Sequence, residues 1–268
     1  YDRFRYDEAA ECFESCVRIN PEHGSAWRNL SLYMFDKKHD GKKALCCMEN
    51  ALKYRSHDPR LLLEYEQLLK NTNASIEERL AVYDKYPGLL RERDDCYLDK
   101  LTLLSQQGKY EEAINMAAVK HFHIYEGGEG KLTKQHAWMH VLYGNELANK
   151  GNTEKAEQIY INGINMPKSY GEAKTFFNQE AHIYYYLSKL YTGDKRTEAL
   201  EKAAEYKAAV SEISLFRALA LKELGREDEA KQVLDEMLST AQSLIDNKDM
   251  RTYYGVGSPS PMPFELDI

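Results

Sequence analysis

The sequence predicts an all-α fold, a right-handed α-solenoid of about six and a half antiparallel helix hairpins. A small residue returns at the same point of a helix, at Ala9, Ala44, Ala113, Ala156, Ala199 and Ala230, and Arg79 holds the remaining position of the series. Most of the steps are close to the period of about 34 residues that is typical of arrays of paired helices. No window combines sustained alternation with β-branched enrichment, so we expect essentially no sheet.

Small residues also stand upstream of the marked alanines, where the two helices of a hairpin would cross. Gly144 precedes Ala156, and Ser31 precedes Ala44, in each case by roughly the length of one helix. Two helices approach closely only where the side chains at the contact are small, so we expect close crossings at these pairs. Turns with glycine, such as QQGKY and ELGRE, separate the two helices because glycine adopts the left-handed conformation that ends a helix.

Amphipathic spacing predicts helices along most of the chain. They fall at residues 6–20, 24–38, 41–55, 59–71, 75–86, 94–107, 109–120, 132–150, 153–166, 177–192, 195–208, 211–224 and 227–246. The unit at 58–113 departs from the pattern because Arg79 replaces the alanine, and we expect it to be distorted.

Two segments interrupt the period, and a third ends it. The stretches 121–131 (HFHIYEGGEGK) and 167–175 (PKSYGEAKT) each add about nine residues between one unit and the next. Such joins lie on one edge of a solenoid, so we expect the two insertions to be neighbours in space. Prolines exclude helix from the tail 247–268, whose apolar side chains predict packing on the last repeat. The predicted domains are a repeat array, 1–246, and this Pro-rich tail.

The units resemble tetratricopeptide repeats. YDEAAECFESCVRINP resembles the second helix of such a repeat, with Phe13, Cys16 and Pro21 in the family's aromatic, small and proline positions. GSAWRNLSLY resembles a first helix, with Trp27 and Leu30 in register. The chain thus begins inside a repeat, which predicts that it was cut from a longer protein. The resemblance implies a superhelix whose inner wall, built from the first helices, binds proteins or peptides.

A narrower resemblance gives two functional hypotheses. HFHIYEGGEGK and the ending YYGVGSPSPMPFELDI are similar to a bacterial family in which an N-terminal β-rich domain precedes a tetratricopeptide array. The first hypothesis is a non-catalytic scaffold that holds a protein, a peptide or its own missing N-terminal domain. The alternative is an accessory domain of a carbohydrate-related enzyme or binding protein whose main domain lies N-terminal to this segment.

Composition excludes several function classes. The net charge is −7 and the pI about 5.7, without the basic footprint of a nucleic-acid-binding protein. No apolar run approaches the ~18 residues of a membrane helix. The five cysteines form no CxxC pair, so we expect free, buried thiols and a cytoplasmic location. No nucleophile stands in a catalytic context, and we predict neither catalysis nor a cofactor.

The insertion at 121–131 carries the candidate loop residues His121, His123, Glu126, Glu129 and Lys131. Three interpretations are open: a metal site, a phosphate loop and a structural loop. An HxH pair with acids is a weak metal signal, and EGGEGK lacks the first glycine and the Ser or Thr of a phosphate loop. We favour a structural loop in which glycines adopt positive φ and Glu126 caps a neighbouring helix.

Candidate partner-binding residues come from the tetratricopeptide resemblance, which places the inner wall at fixed positions of the first helices. They are Arg28, Phe35, Trp138, Val141, Asn145, Asn149, Tyr184, Ser188 and Tyr191. Tyr184, Ser188 and Tyr191 recur at i, i+4 and i+7, which predicts one stripe. Aromatic residues with polar tips, together with Asn and Arg, are what binding hot spots use, although packing against the adjacent unit's second helix is the structural alternative. Leu32 stands where chaperone-tail-binding repeats require asparagine, so no C-terminal carboxylate ligand is expected.

Overall fold

The computed structural model describes residues 3–123, 128–171 and 180–246, which contain fourteen α-helices and no strand. The helices are α1 Tyr6–Ile19, α2 Gly24–Asp36, α3 Gly41–Tyr54, α4 Pro59–Asn71, α5 Ile76–Lys85, α6 Pro87–Glu92, α7 Asp94–Gln106, α8 Tyr110–Val119, α9 Lys131–Asn149, α10 Thr153–Ile164, α11 Ala181–Leu190, α12 Gly193–Ala204, α13 Ser214–Glu223 and α14 Glu227–Asp246. A 3₁₀ turn covers Lys168–Tyr170. The predicted all-α class is confirmed.

The helices pack as successive hairpins within two compact units, the first reaching Leu103 and the second beginning at Leu104. In unit 1, α2 packs on α3, with α1 against α2 and α4 against α3. In unit 2, three hairpins follow one another: α9 with α10, α11 with α12 and α13 with α14. Helix α11 also contacts α9 and α13, so these three first helices form one layer. The predicted tetratricopeptide-like hairpins are therefore confirmed.

A direct contact confirms one of these predicted helix crossings, and the other brings an aromatic ring against a glycine. The Ser31 hydroxyl donates to the carbonyl of Ala44 at 2.7 Å, and neither residue is exposed to solvent. A Cβ on Gly144 would lie 2.3 Å from a ring carbon of Tyr160. Gly144 therefore makes room for an aromatic ring of α10.

The repeat that contains Arg79 has a buried ion pair between its helices. The Arg79 Nε donates to Glu66 Oε1 at 2.5 Å, and the two residues are 9% and 2% exposed. The separation of Glu66 and Arg79 along the chain equals that of Ser31 and Ala44. A buried ion pair thus replaces the small pair at this crossing, and burial raises the pKa of Glu66 to about 7.

The same repeat contains a further short helix, α6, that the amphipathic spacing does not predict. It has only six residues, too few for its apolar spacing to identify a helix, and it begins at Pro87 directly after α5. Its buried Leu89 and Leu90 join the core of unit 1.

The two insertions are neighbours, as predicted. The backbone N–H of Phe122 donates to the carbonyl of Ser169 at 3.0 Å, and the Phe122 and Tyr170 rings meet edge to face at 5.5 Å. His136 of α9 donates from Nε2 to the carbonyl of Asn162 at 3.1 Å and accepts at Nδ1 from the Tyr170 hydroxyl at 3.0 Å. Residues 124–127, 172–179 and the tail 247–268 lie outside the described residues, so tail packing stays a prediction.

The cysteines are free, but the prediction that they are buried holds only in part. Cys47 and Cys96 are buried, whereas Cys12 and Cys46 are exposed and Cys16 is half-buried. Helix α1 packs mainly against α2, which leaves most of its surface in solvent.

Candidate interaction face

In unit 1, Arg28 links two neighbouring hairpins. Its Nε and Nη2 donate to the two carboxylate oxygens of Glu64 at 2.8 and 2.7 Å, and Arg60 donates to the same carboxylate at 2.9 Å. Glu64 is 1% exposed, so the two guanidinium groups compensate a buried negative charge. This pairing holds α2 to α4. Phe35 is half-buried near the end of α2.

In unit 2, the candidate residues of α9 separate into two groups. Val141 is fully buried and packs in the core with Ile183 of α11, which excludes it from contact with a partner. Trp138 and Asn145 are half-exposed, and Asn149 is exposed. Asn145 accepts a hydrogen bond from the Tyr160 hydroxyl at 2.5 Å.

Trp138 lies on a buried histidine where the three first helices meet. Its ring centroid is 4.6 Å from that of His182 and 6.0 Å from that of Phe216. His182 is 1% exposed, and neither of its ring nitrogens has a hydrogen-bond partner within the described ranges. Burial lowers the pKa of His182 to about 3, so the ring is neutral. An ion pair of 2.5 Å between Lys134 and Glu212 joins α9 to the segment before α13.

The predicted tyrosine stripe of α11 makes contacts within the fold, and its role in partner binding stays a prediction. Ser188 is fully buried, and the Tyr191 hydroxyl donates to Glu157 of α10 at 2.8 Å. Lys202 of α12 stands over the Tyr184 ring at 5.7 Å. Tyr184 and Tyr191 therefore contact second helices, and Ser188 is buried. Spacing at i, i+4 and i+7 identifies one side of a helix, but it does not give the direction in which that side points.

Another side of α11 carries Tyr185 and Lys189, which are not among the predicted binding residues. The Tyr185 hydroxyl donates to Glu223 of α13 at 3.1 Å, and Lys189 forms an ion pair with the same carboxylate. Arg196 of α12 also donates to Glu223, at 2.5 Å. The i, i+4 spacing of Tyr185 and Lys189 places them on one side of α11. We define the first-helix face by its accessible residues Trp138, Leu142, Asn149, Tyr185 and Lys189.

The described loop candidates form no site of their own. His121, His123, Glu129 and Lys131 are exposed, and Glu126 lies outside the described residues. Within the described ranges, no group of three or more His, Cys, Asp or Glu side chains could hold a metal ion. Gly130 has φ 76°, in agreement with the predicted structural loop. None of the helices in those ranges has the length and apolar content that a membrane crossing requires.

Comparison with known proteins gives a match to the tetratricopeptide repeat family at residues 3–23, the segment that contains α1. Among solved structures, a chain of the Naa15/Naa10 complex bound to HypK-THB is 19% identical with a TM-score of 0.47. That match covers 92% of this chain and 36% of the other, so this chain spans about a third of that protein's length.

Two further structures are similar. A tetratricopeptide repeat protein from Parabacteroides merdae is 14% identical with a TM-score of 0.48, covering 89% of this chain and 88% of that one. Yeast Tom70 is 13% identical with a TM-score of 0.37, and the match covers 92% of this chain and 60% of that one. The resemblance to proteins with a β-rich N-terminal domain stays a prediction. The matched repeat at residues 3–23 and the successive helix hairpins together support a tetratricopeptide-like repeat protein.

Proposed function

We propose that this chain is a non-catalytic scaffold that binds a protein or peptide on the first-helix face of unit 2. The observation that carries the proposal is the placement of Trp138, which is half-exposed yet held by ring contacts with His182 and Phe216. A tryptophan that is already ordered loses little conformational entropy on binding. Tryptophan and tyrosine are also the residues most enriched in interface hot spots.

The polar groups of the first-helix face suit a peptide backbone. Asn149 is exposed, and its amide both donates and accepts hydrogen bonds. Lys189 and Tyr185 share the carboxylate of Glu223, so they add cationic and aromatic surface in a fixed geometry. Accessible apolar area with a polar rim is the usual composition of a protein interface.

The test is a comparison of bound proteins between variants of the full chain. Purified wild type is immobilised, exposed to extract, and the retained proteins are quantified by mass spectrometry. Leu142→Arg and Asn149→Arg place a long cation on the first-helix face without entering the core. Asn115→Arg is the matched control, because Asn115 is an exposed asparagine on α8.

We expect a partner that wild type and Asn115→Arg retain equally and that both face variants lose at least tenfold. Circular dichroism melts should be unchanged for all three variants, because the substituted side chains lie outside the core. Retention of every captured protein by Leu142→Arg and Asn149→Arg would refute this face as the binding site.

A further inference from the structure

Helix α14 presents a second apolar surface, away from the first-helix face. Ala230 and Val233 face the core of the last hairpin. Leu234, Leu238 and Ile245 are 40%, 70% and 69% exposed. With the exposed Ala241, these three residues recur at i, i+4, i+7 and i+11, which places them on one line along the helix. We call this line the α14 stripe.

Scattered apolar side chains need no explanation, but a contiguous row of large ones marks an interaction site. The row is about 16 Å long, at a rise of about 1.5 Å for each residue of a helix. That length is roughly three helical turns, and Ala241 leaves a depression between Leu238 and Ile245 into which a large side chain can insert.

The charge on α14 determines which partner fits. The helix carries one cation, Lys231, and six acids: Glu227, Asp228, Glu229, Asp235, Glu236 and Asp246. A second copy of the stripe would bring two acidic surfaces together, which is unfavourable. The chain's own tail is weakly acidic, since 247–268 contains two basic and three acidic residues. The complementary occupant is a basic one.

We propose that the α14 stripe docks an amphipathic helix of a partner protein, with leucine-like residues at helical spacing and lysine or arginine along their edge. The partner's apolar residues pack on Leu234, Leu238 and Ile245, and its cations face the acids of α14. The stripe lies on α14, outside the first-helix face, so this inference does not depend on the function proposed above.

The probe is a fluorescein-labelled peptide of leucine and lysine, five helical turns long, with leucines at i, i+4, i+7 and i+11. Its matched control replaces every lysine by glutamate. Fluorescence anisotropy is measured with the full chain as wild type, Leu238→Gln, Ile245→Gln and Val119→Gln. Val119 is 80% exposed on α8, so its substitution removes a similar apolar side chain elsewhere.

We expect the leucine–lysine peptide to bind Leu238→Gln and Ile245→Gln at least tenfold more weakly than wild type, and Val119→Gln with unchanged affinity. The leucine–glutamate peptide should bind wild type at least tenfold more weakly, and added salt should weaken the basic peptide. Equal affinity for wild type and Leu238→Gln, or for the two peptides, would overturn the proposal.

Photo-cross-linking from benzoylphenylalanine at position 238 of the full chain identifies the occupant in the presence of the peptide. A cross-link to the leucine–lysine peptide supports the proposal. Cross-linking mainly to residues 247–268 would show that the tail fills the stripe, and a cross-linked dimer would show a second copy. Either of these two outcomes overturns a partner helix as the occupant.

Discussion

Replacing His182 by phenylalanine should remove part of the protein's sensitivity to acid. In the folded chain His182 stays neutral, because burial lowers its pKa to about 3 from the ordinary 6.5. In the unfolded chain the ring takes up a proton below pH 6.5. The unfolded state therefore binds more protons, and the free energy of unfolding rises with pH. As far as His182 determines it, the free energy of unfolding is highest above pH 6.5 and decreases progressively as the pH falls from 6.5 towards 3.

The size of the effect follows from those two pKa values. When the pH falls from 7.5 to 5.5, protonation of His182 in the unfolded chain raises the ratio of unfolded to folded protein by a factor of about ten. That factor corresponds to about 1.4 kcal/mol at 25 °C. Glu212 and Lys134 shift the His182 pKa in opposite directions, so burial sets the sign. His136, whose pKa burial also lowers to about 3, adds a loss of the same sign that remains in the variant.

The assay is urea unfolding at pH 7.5 and 5.5, followed by tryptophan fluorescence. A Trp27→Phe background leaves Trp138 as the reporter, so the signal comes from unit 2 and from the residue stacked on position 182. The loss of unfolding free energy between the two pH values should be smaller by about 1.4 kcal/mol in His182→Phe. At pH 7.5 the variant should be as stable as the reference or more so, because two buried nitrogens without partners are removed.

An unchanged pH dependence in His182→Phe would refute the inference that this ring is buried and neutral. His182→Leu separates protonation from packing. It loses the stack with Trp138, and so stability at both pH values, but it should show the same reduced pH dependence as His182→Phe.

Three other substitutions test the packing. Arg79→Ala restores the repeat's usual residue but leaves Glu66 buried without its partner. It should lower the free energy of unfolding, measured with urea, by about 3–5 kcal/mol. Replacing both Arg79 and Glu66 by leucine should recover most of that loss. A neutral effect of Arg79→Ala would contradict the buried pair. Gly144→Ala brings a methyl group within 2.3 Å of the Tyr160 ring and should lower the free energy of unfolding by about 1–3 kcal/mol. Tyr170→Phe removes a hydroxyl bonded to a buried imidazole of α9 and should cost about 0.5–1.5 kcal/mol, measured by denaturant unfolding.

The recurring small residues predict the hairpins because a close helix crossing leaves a steric signature in the sequence, as at Ser31 and Ala44. The direction of each helix face leaves no such signature. Tyr184 and Tyr185 are adjacent and chemically identical, yet one faces α12 and the other reaches α13. The direction in which each of them points depends on how Ile183 packs, and that is a property of three helices together.

The buried pair of Arg79 and Glu66 shows another feature that could not be predicted from the sequence. The offset of Arg79 from Glu66, equal to that of Ser31 from Ala44, is present in the sequence, but a charged pair at a crossing is normally disfavoured by desolvation. The pair becomes evident only when the side chains are seen to meet. The insertions were predictable in position from the two lengthened steps of the repeat, whereas the histidine and tyrosine that join them were not, because contacts between distant loops follow no period.

The contact between the two insertions also has a consequence for folding cooperativity. An array whose hairpins touch only their neighbours can fray from either end, one hairpin at a time. The hydrogen bond from Phe122 to Ser169 closes a loop around α9 and α10, and the bond from Tyr170 to His136 anchors that loop to the hairpin it encloses. Separating α9 from α10 therefore also requires breaking the bonds of His136 to Tyr170 and Asn162, and this part of the chain should open as one cooperative unit in hydrogen exchange.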